Sequence, residues 1–234
     1  MVPMSNRRTF LLTTGAAFTA AARPLPSADT DEPAVPAPAG AAVLFNGKDL
    51  SAWVAVKTGK PAAWKVESGY VEIVLDTGDI RTRDEYGDSQ LHLEFRIPED
   101  PRSRGNSGVY LQGKYEVQII DSYDRAPELS GCGALYREVA PLRNASKRPG
   151  LWQSFDIAFR APRYEQPSGA LQEKGLLTVF HNRILVQNNT PIPGMTGQAK
   201  RDPNNDPKKP GPIVLQNHGS PVRFRNIWMY NLST

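Results

Sequence analysis

Leu91-His92-Leu93-Glu94-Phe95-Arg96-Ile97 alternates without a break, with four apolar side chains pointing one way and His92, Glu94 and Arg96 the other. A period of two marks a strand buried on one face. The same period returns at Val222-Arg223-Phe224-Arg225-Asn226-Ile227-Trp228, where Val222, Phe224, Asn226 and Trp228 are expected to share a face. Shorter β-rich runs cover 63–75, 108–120, 154–159, 176–186 and 213–217. Turn formers separate them: Asn46-Gly47, Glu67-Ser68-Gly69, Asp76-Thr77-Gly78-Asp79, Gly113-Lys114 and His181-Asn182-Arg183. Helical periodicity is hard to find after residue 43, and the chain is punctuated by 21 prolines. The expectation is an all-β chain, a jelly-roll sandwich of two antiparallel sheets. Residues 197–212 (GQAKRDPNNDPKKPGP) read as a long polar loop.

The first residues read differently. Ser5-Asn6-Arg7-Arg8-Thr9-Phe10-Leu11-Leu12 opens a basic, then apolar stretch that ends in small residues at Ala20-Ala21-Ala22. That is the pattern of a signal peptide over residues 1–22, of the twin-arginine kind. The expectation is therefore export to the periplasm or beyond, with the twin-arginine machinery as partner. The apolar run falls short of the ~20 residues that span a bilayer, so an integral membrane protein is not expected. Residues 23–42, rich in Pro and Ala, read as a linker, leaving 43–234 as one domain. Lys and Arg number 28 against 24 Asp and Glu; without Arg7 and Arg8 the net charge of +4 drops to +2. No basic stripe interleaved with aromatics appears, so nucleic acid is not an expected partner. Cys132 is the single cysteine and sits between Gly131 and Gly133 with no histidine beside it. It reads as a small buried residue, and the chain is left to stabilise itself by packing without an internal disulfide.

No nucleophile elbow, zinc-protease motif or phosphate-cradling glycine loop is present. The three histidines, His92, His181 and His218, are too scattered to spell a metal site. The informative segment is Asn106-Ser107-Gly108-Val109-Tyr110-Leu111-Gln112-Gly113-Lys114-Tyr115-Glu116-Val117-Gln118-Ile119-Ile120-Asp121. If Gly113-Lys114 is a two-residue turn, Gln112 faces Tyr115, Leu111 faces Glu116 and Val109 faces Gln118. Glu116 and Gln118 then share one face of an otherwise apolar strand, where polar groups are costly unless satisfied or functional. Gln216 and His218, two apart after Ile213-Val214-Leu215, repeat the theme, and imidazole suits proton transfer near neutrality. A conventional glycosidase needs two carboxylates across the scissile bond. Glu116 and Asp121 are an odd number apart and fall on opposite faces, so a second carboxylate would have to come from another strand, for example Glu94.

These segments, in order along the chain, resemble the 3-keto-disaccharide hydrolase domain family, similar in fold to concanavalin A-like lectins and glucanases. The resemblance rests on Leu44-Phe45-Asn46-Gly47-Lys48-Asp49-Leu50 with Trp53, Leu93-Glu94-Phe95-Arg96, Asn106 to Leu111 and Tyr115 to Ile119. It continues through Gly133-Ala134-Leu135-Tyr136 with Pro141, Trp152, Gly211-Pro212-Ile213 to Gln216, His218-Gly219 and Val222 to Ile227. Two departures stand out. Asn217 occupies a position where the family commonly has Asp, and residues 197–212 replace a glycine-rich loop.

The resemblance implies cleavage of glycosides already oxidised to a 3-ketone, by general acid–base elimination and addition of water. Glu116 and His218 are then the candidate base and acid. Asn106, Gln118, Gln216 and Arg225 are candidates to hold sugar hydroxyls or an enolate, with Tyr110, Tyr136 and Glu94 as further contacts. A divalent metal ion would polarise the ketone, although no ligand set is readable. A non-catalytic glycan-binding module and a structural envelope protein are the alternative readings. Trp53, Trp64, Trp152 and Trp228 have apolar sequence neighbours and read as core.

Overall fold

The computed structural model describes residues 33–100 and 102–233. The strands run β1 (Ala42–Phe45), β2 (Trp53–Ala55), β3 (Lys65–Glu67), β4 (Tyr70–Glu72) and β5 (Ile80–Thr82). They continue as β6 (Ser89–Arg96), β7 (Ser107–Leu111), β8 (Tyr115–Ile119), β9 (Trp152–Arg160) and β10 (Arg163–Tyr164). The last are β11 (Leu171–Glu173), β12 (Leu176–His181), β13 (Ile184–Pro191), β14 (Val214–Leu215) and β15 (Arg223–Asn231). One 3-10 turn, Gly197–Arg201, interrupts the polar loop, and no α-helix occurs among the described residues.

An eight-stranded antiparallel sheet has the order β13-β12-β9-β6-β15-β4-β3, with β1 also joined to β15. A five-stranded sheet, β2-β5-β14-β7-β8, packs against it, and β10 and β11 form a separate ribbon. The two inner faces make one core. Leu91, Leu93, Phe95, Phe155, Ile157, Leu177, Val179 and Phe224 come from the large sheet, and Ile80, Val109, Leu111, Val117, Ile119 and Leu215 from the small one. Each such side chain contributes roughly 1.5–3 kcal/mol by leaving water. Trp53 and Trp64 lie in this core as expected, and Cys132 is buried in it with its thiol pushed up to about 12 by burial. Trp152 and Trp228 are buried too, but on the outer face of the large sheet, Trp228 stacked on His92 and Trp152 beneath Arg225.

Two expectations about phase are corrected. In β15 the alternation holds from Val222 to Phe224, then Asn226 takes φ 49 and the register against β6 shifts between Arg225 and Trp228. This bulge turns Ile227 and Met229 inward and leaves Arg225 and Trp228 on the other face. In the β7–β8 hairpin Leu111 faces Tyr115, Tyr110 faces Glu116 and Gly108 faces Gln118, one residue from the expected register. Gln112 and Gly113 both adopt left-handed φ, 55 and 65, and Lys114 N–H closes the turn on Leu111 O at 3.0 Å. Lys114 therefore stands outside the ladder as the extra residue of a bulged turn. Its side chain is buried and its ammonium donates to Lys209 O at 2.5 Å.

The signal peptide expected over 1–22 lies outside the described residues. The linker expected over 23–42 is described from Pro33 on, and it lies along the outer face of the large sheet. Val35 N–H donates to Glu94 Oε1 at 3.0 Å, Asn226 Nδ2 donates to Val35 O, and Tyr230 donates to Ala39 O at 2.7 Å. No described helix is long and apolar enough to cross a membrane.

Candidate active site

Because β7 and β8 alternate, every second residue points away from the core. On β7 these are Gly108 and Tyr110, on β8 Glu116 and Gln118, and they face one another in pairs. β14 pairs with β7 through Val214 and Tyr110, so Gln216 just beyond it emerges on the same face. This face is covered as well: Tyr110, Glu116, Gln118 and Gln216 are all buried. Burying four polar side chains on one patch is costly unless they satisfy one another or a ligand.

They form two linked chains. Gln216 Nε2 donates to the Tyr110 hydroxyl at 3.2 Å, and Tyr110 donates to Glu116 Oε2 at 2.7 Å. Gln118 Nε2 donates to Asn106 Oδ1 at 2.9 Å, which turns Asn106 Nδ2 toward His218 Nδ1 at 3.1 Å. An amide NH2 can only donate, so Nδ1 accepts and the ring hydrogen sits on Nε2. Among the described residues, the buried amide oxygens of Gln118 and Gln216 have no donor. Burial raises the Glu116 carboxyl to about 7 against the bond from Tyr110, with the nearby charge of Asp79 adding to the rise. Burial, then the Glu116 charge, pushes the Tyr110 hydroxyl far up, so it stays protonated. His218, in contrast, is exposed at the mouth.

Two loops roof this face and are pinned to Glu116 itself. Tyr136 N–H donates to Glu116 O at 3.0 Å, and Glu116 N–H donates to the Thr196 hydroxyl at 2.7 Å. Gly197 follows at φ 50; a β-carbon there would lie 2.8 Å from Glu116 Oε2 and 3.2 Å from the Tyr110 hydroxyl. On the floor, a β-carbon on Gly108 would lie 2.5 Å from Glu116 Oε1. The enclosed space is about 360 Å³, within the ~300–1,000 Å³ usual for small-molecule sites.

Asn106, Tyr110, Glu116, Gln118, Tyr136, Gln216 and His218 all line that one pocket. Glu94 and Arg225, expected beside them, do not. They sit on the outer face of the large sheet, paired directly across β6 and β15, with Arg225 Nε donating to Glu94 Oε2 at 2.5 Å. The bulge at Asn226 is not the reason; β6 and β15 belong to the large sheet and β7, β8 and β14 to the small one, so no shift of phase could join them. Burial opposes the ionised form of Glu94, yet His92, Asn226, Arg225 and Val35 hold its carboxyl down to about 2. Glu94 thus cannot serve as a second carboxylate to Glu116.

The sequence reading missed Gly197, Gln198, Lys200 and Arg201 on one rim loop and Arg137 and Glu138 on the other, all lining the pocket. It also missed Asp79, which accepts Asn217 N–H at 2.8 Å and so fixes the backbone beside His218. Only Gly197 carried a signal, as the glycine that opens the long polar loop. Among the described residues no group of three or more His, Cys, Asp and Glu side chains is placed to hold a metal ion.

A family model of the 3-keto-alpha-glucoside-1,2-lyase-like domain matches residues 40–230. The crystal structure of a candidate glycosyl hydrolase from Parabacteroides distasonis matches at 40% identity with a TM-score of 0.75, covering 84% of this chain and 86% of its own. Two more candidate glycosyl hydrolases of that organism match at 23% and 24% identity, with TM-scores of 0.60 and 0.57. They cover 83% and 82% of this chain and 95% and 99% of their own, and at that identity they speak for the fold alone. No curated protein matches.

Proposed function

Since the chain belongs to the 3-keto-alpha-glucoside-1,2-lyase-like domain family, we propose that it cleaves 3-keto-glycosides by elimination across carbons 1 and 2. The observation that carries this reading is one buried carboxylate, Glu116, with a carboxyl held at about 7, in the same pocket as one imidazole, His218. The other lining carboxylate among the described residues, Glu138, is ion-paired with Lys200 at the rim, so among those residues the pocket lacks the opposed pair a conventional glycosidase uses.

A ketone at carbon 3 acidifies the hydrogen on carbon 2. Ionised Glu116 takes that proton, and the C–H electron pair becomes the enolate. The enolate reforms the ketone, makes the carbon 1–carbon 2 double bond and expels the glycosidic oxygen. That oxygen takes the proton back from Glu116, whose carboxyl near neutrality makes it competent in both directions. His218, with a hydrogen on Nε2, donates to the 3-keto oxygen as negative charge grows there. Gln118 and Gln216 accept sugar hydroxyls on their unpartnered oxygens. Water added across the new double bond completes a net hydrolysis.

The test is to incubate purified protein with a 3-keto-glucoside and with its unoxidised parent. Release of the aglycone from the keto compound alone is expected. Comparable release from the parent would overturn the reading.

A further inference from the structure

The mouth of the pocket differs in character from its floor. The floor offers acceptors: the Glu116 carboxylate and the amide oxygens of Gln118 and Gln216. The mouth offers cations. Lys200 pairs with Glu138 across the gap between the two rim loops, which matches the one rim carboxylate among the lining residues. Arg137 and Arg201 add two further positive charges to the same lining, both exposed.

Arg137 sits at φ 59, in the left-handed region that costs a residue with a β-carbon roughly 1–2 kcal/mol. Glycine or asparagine would fit that backbone more cheaply. The turn is held regardless, Arg137 N–H donating to Leu129 O at 2.8 Å. Its guanidinium lies 5.3 Å from the centre of the Tyr136 ring, itself a wall of the pocket. A planar cation fixed against an aromatic wall is suited to a carboxylate or phosphate, which it grips through paired N–H donors.

We propose that the pocket selects an anionic glycoside, one whose departing part carries a carboxylate or phosphate held at the mouth by Arg137 and Arg201. This rests on the reading of the floor as the keto-sugar site, because the floor's acceptors take hydroxyls and repel an anion. The charge therefore belongs on the part of the substrate that leaves.

Binding separates this proposal from the reaction. Glu116→Gln protein, which keeps its ligand intact, is titrated calorimetrically with 3-keto-glucosides whose aglycones are neutral, carboxylated or phosphorylated. At least one anionic ligand is expected to bind 10-fold or more tightly than the neutral one, with the advantage shrinking as salt rises. The two anionic arms identify which group is preferred. Arg137→Gln with Arg201→Gln should abolish the preference, and Arg→Lys at both should keep part of it. Equal affinities, absence of binding included, or a preference that survives the Gln pair, overturn the proposal. Turnover of the neutral and the anionic keto compounds by unaltered protein reports on the reaction independently: turnover without anion preference sinks this proposal alone, and anion preference with no turnover of any of the compounds sinks the reaction alone.

Discussion

Tyr110 gives its hydroxyl hydrogen to Glu116 Oε2 at 2.7 Å, and the two residues face each other on adjacent strands. The bond favours the ionised carboxylate against the burial that opposes it. Tyr110→Phe removes it, and a hydrogen bond to a charged group contributes roughly 1.5–3 kcal/mol. The Glu116 carboxyl should then move up by ~1–2 units, at about 1.4 kcal/mol per unit. The rate of keto-glycoside cleavage should rise with pH through about 7 in the parent protein, and this limb should shift upward in the variant. A pH–rate profile measures it. An unmoved limb would mean that Glu116 is not the group being titrated.

The same carboxyl is expected to trade stability for function. Its folded value, about 7, lies above its ordinary 4.5, so the folded state holds the proton more tightly than the unfolded one. Stability should fall as pH rises from about 4.5 through 7 and level off above, by at most ~3 kcal/mol. Glu116→Gln has no proton to lose there. Denaturant unfolding at pH 5 and pH 8 should show the variant gaining on the parent at the higher pH, while cleavage is lost. A constant difference between the two pH values would contradict the burial argument.

Glu94 behaves in the opposite sense. Its carboxyl is held at about 2, so it stabilises the fold above about 4.5 and loses that contribution as pH falls toward 2. Glu94→Gln removes the carboxylate that Arg225 Nε and Asn226 Nδ2 donate to and weakens the acceptor that Val35 uses. A cost of ~3 kcal/mol at neutral pH is expected, as for a mostly buried pair that loses one member. Cleavage kinetics should not change, because Glu94 lies on the opposite sheet from Glu116. A fall in kcat with unaltered stability would return Glu94 to the active site.

The sandwich was legible because alternation is a local property: Leu91, Leu93, Phe95 and Ile97 all turn inward as their spacing requires. What failed was phase. Whether Leu111 or Tyr110 faces Glu116 depends on Lys114 standing outside the ladder, where its ammonium donates to Lys209 O, 95 positions away. Glu116 and Gln118 kept their shared face through this slip, since two residues two apart move together. The grouping of Gln216 and His218 with them is made by β14 pairing with β7, which periodicity did not give; the family resemblance implied only that these residues share a site. The roof was illegible: Lys200 and Arg201 lay in a stretch that reads only as a polar loop, nothing marked Arg137, and the ties of Tyr136 and Thr196 to the backbone of Glu116 that bring both loops over the pocket are long-range.

Gly197 offers the sharpest separation of site from scaffold. At its φ of 50, a β-carbon would lie only 2.8 Å from Glu116 Oε2, so any side chain there would press on that carboxyl. Gly197→Ala should cost ~1–2 kcal/mol in backbone strain, which in a domain of this size lowers the melting temperature by a few degrees, ~2–4 °C per kcal/mol. Its methyl group would clash with Glu116 Oε2 and the Tyr110 hydroxyl, and under the proposed reaction displacement of a reacting group by about 1 Å costs ~100-fold in rate. At Gly194, on the same approach to the loop, a β-carbon would meet nothing within 4 Å, and the backbone has no left-handed φ. Gly194→Ala is therefore the control, expected to leave both melting temperature and kcat/KM near the parent values. Equal activity in the two variants would show that the space beneath Gly197 is not where the reaction occurs.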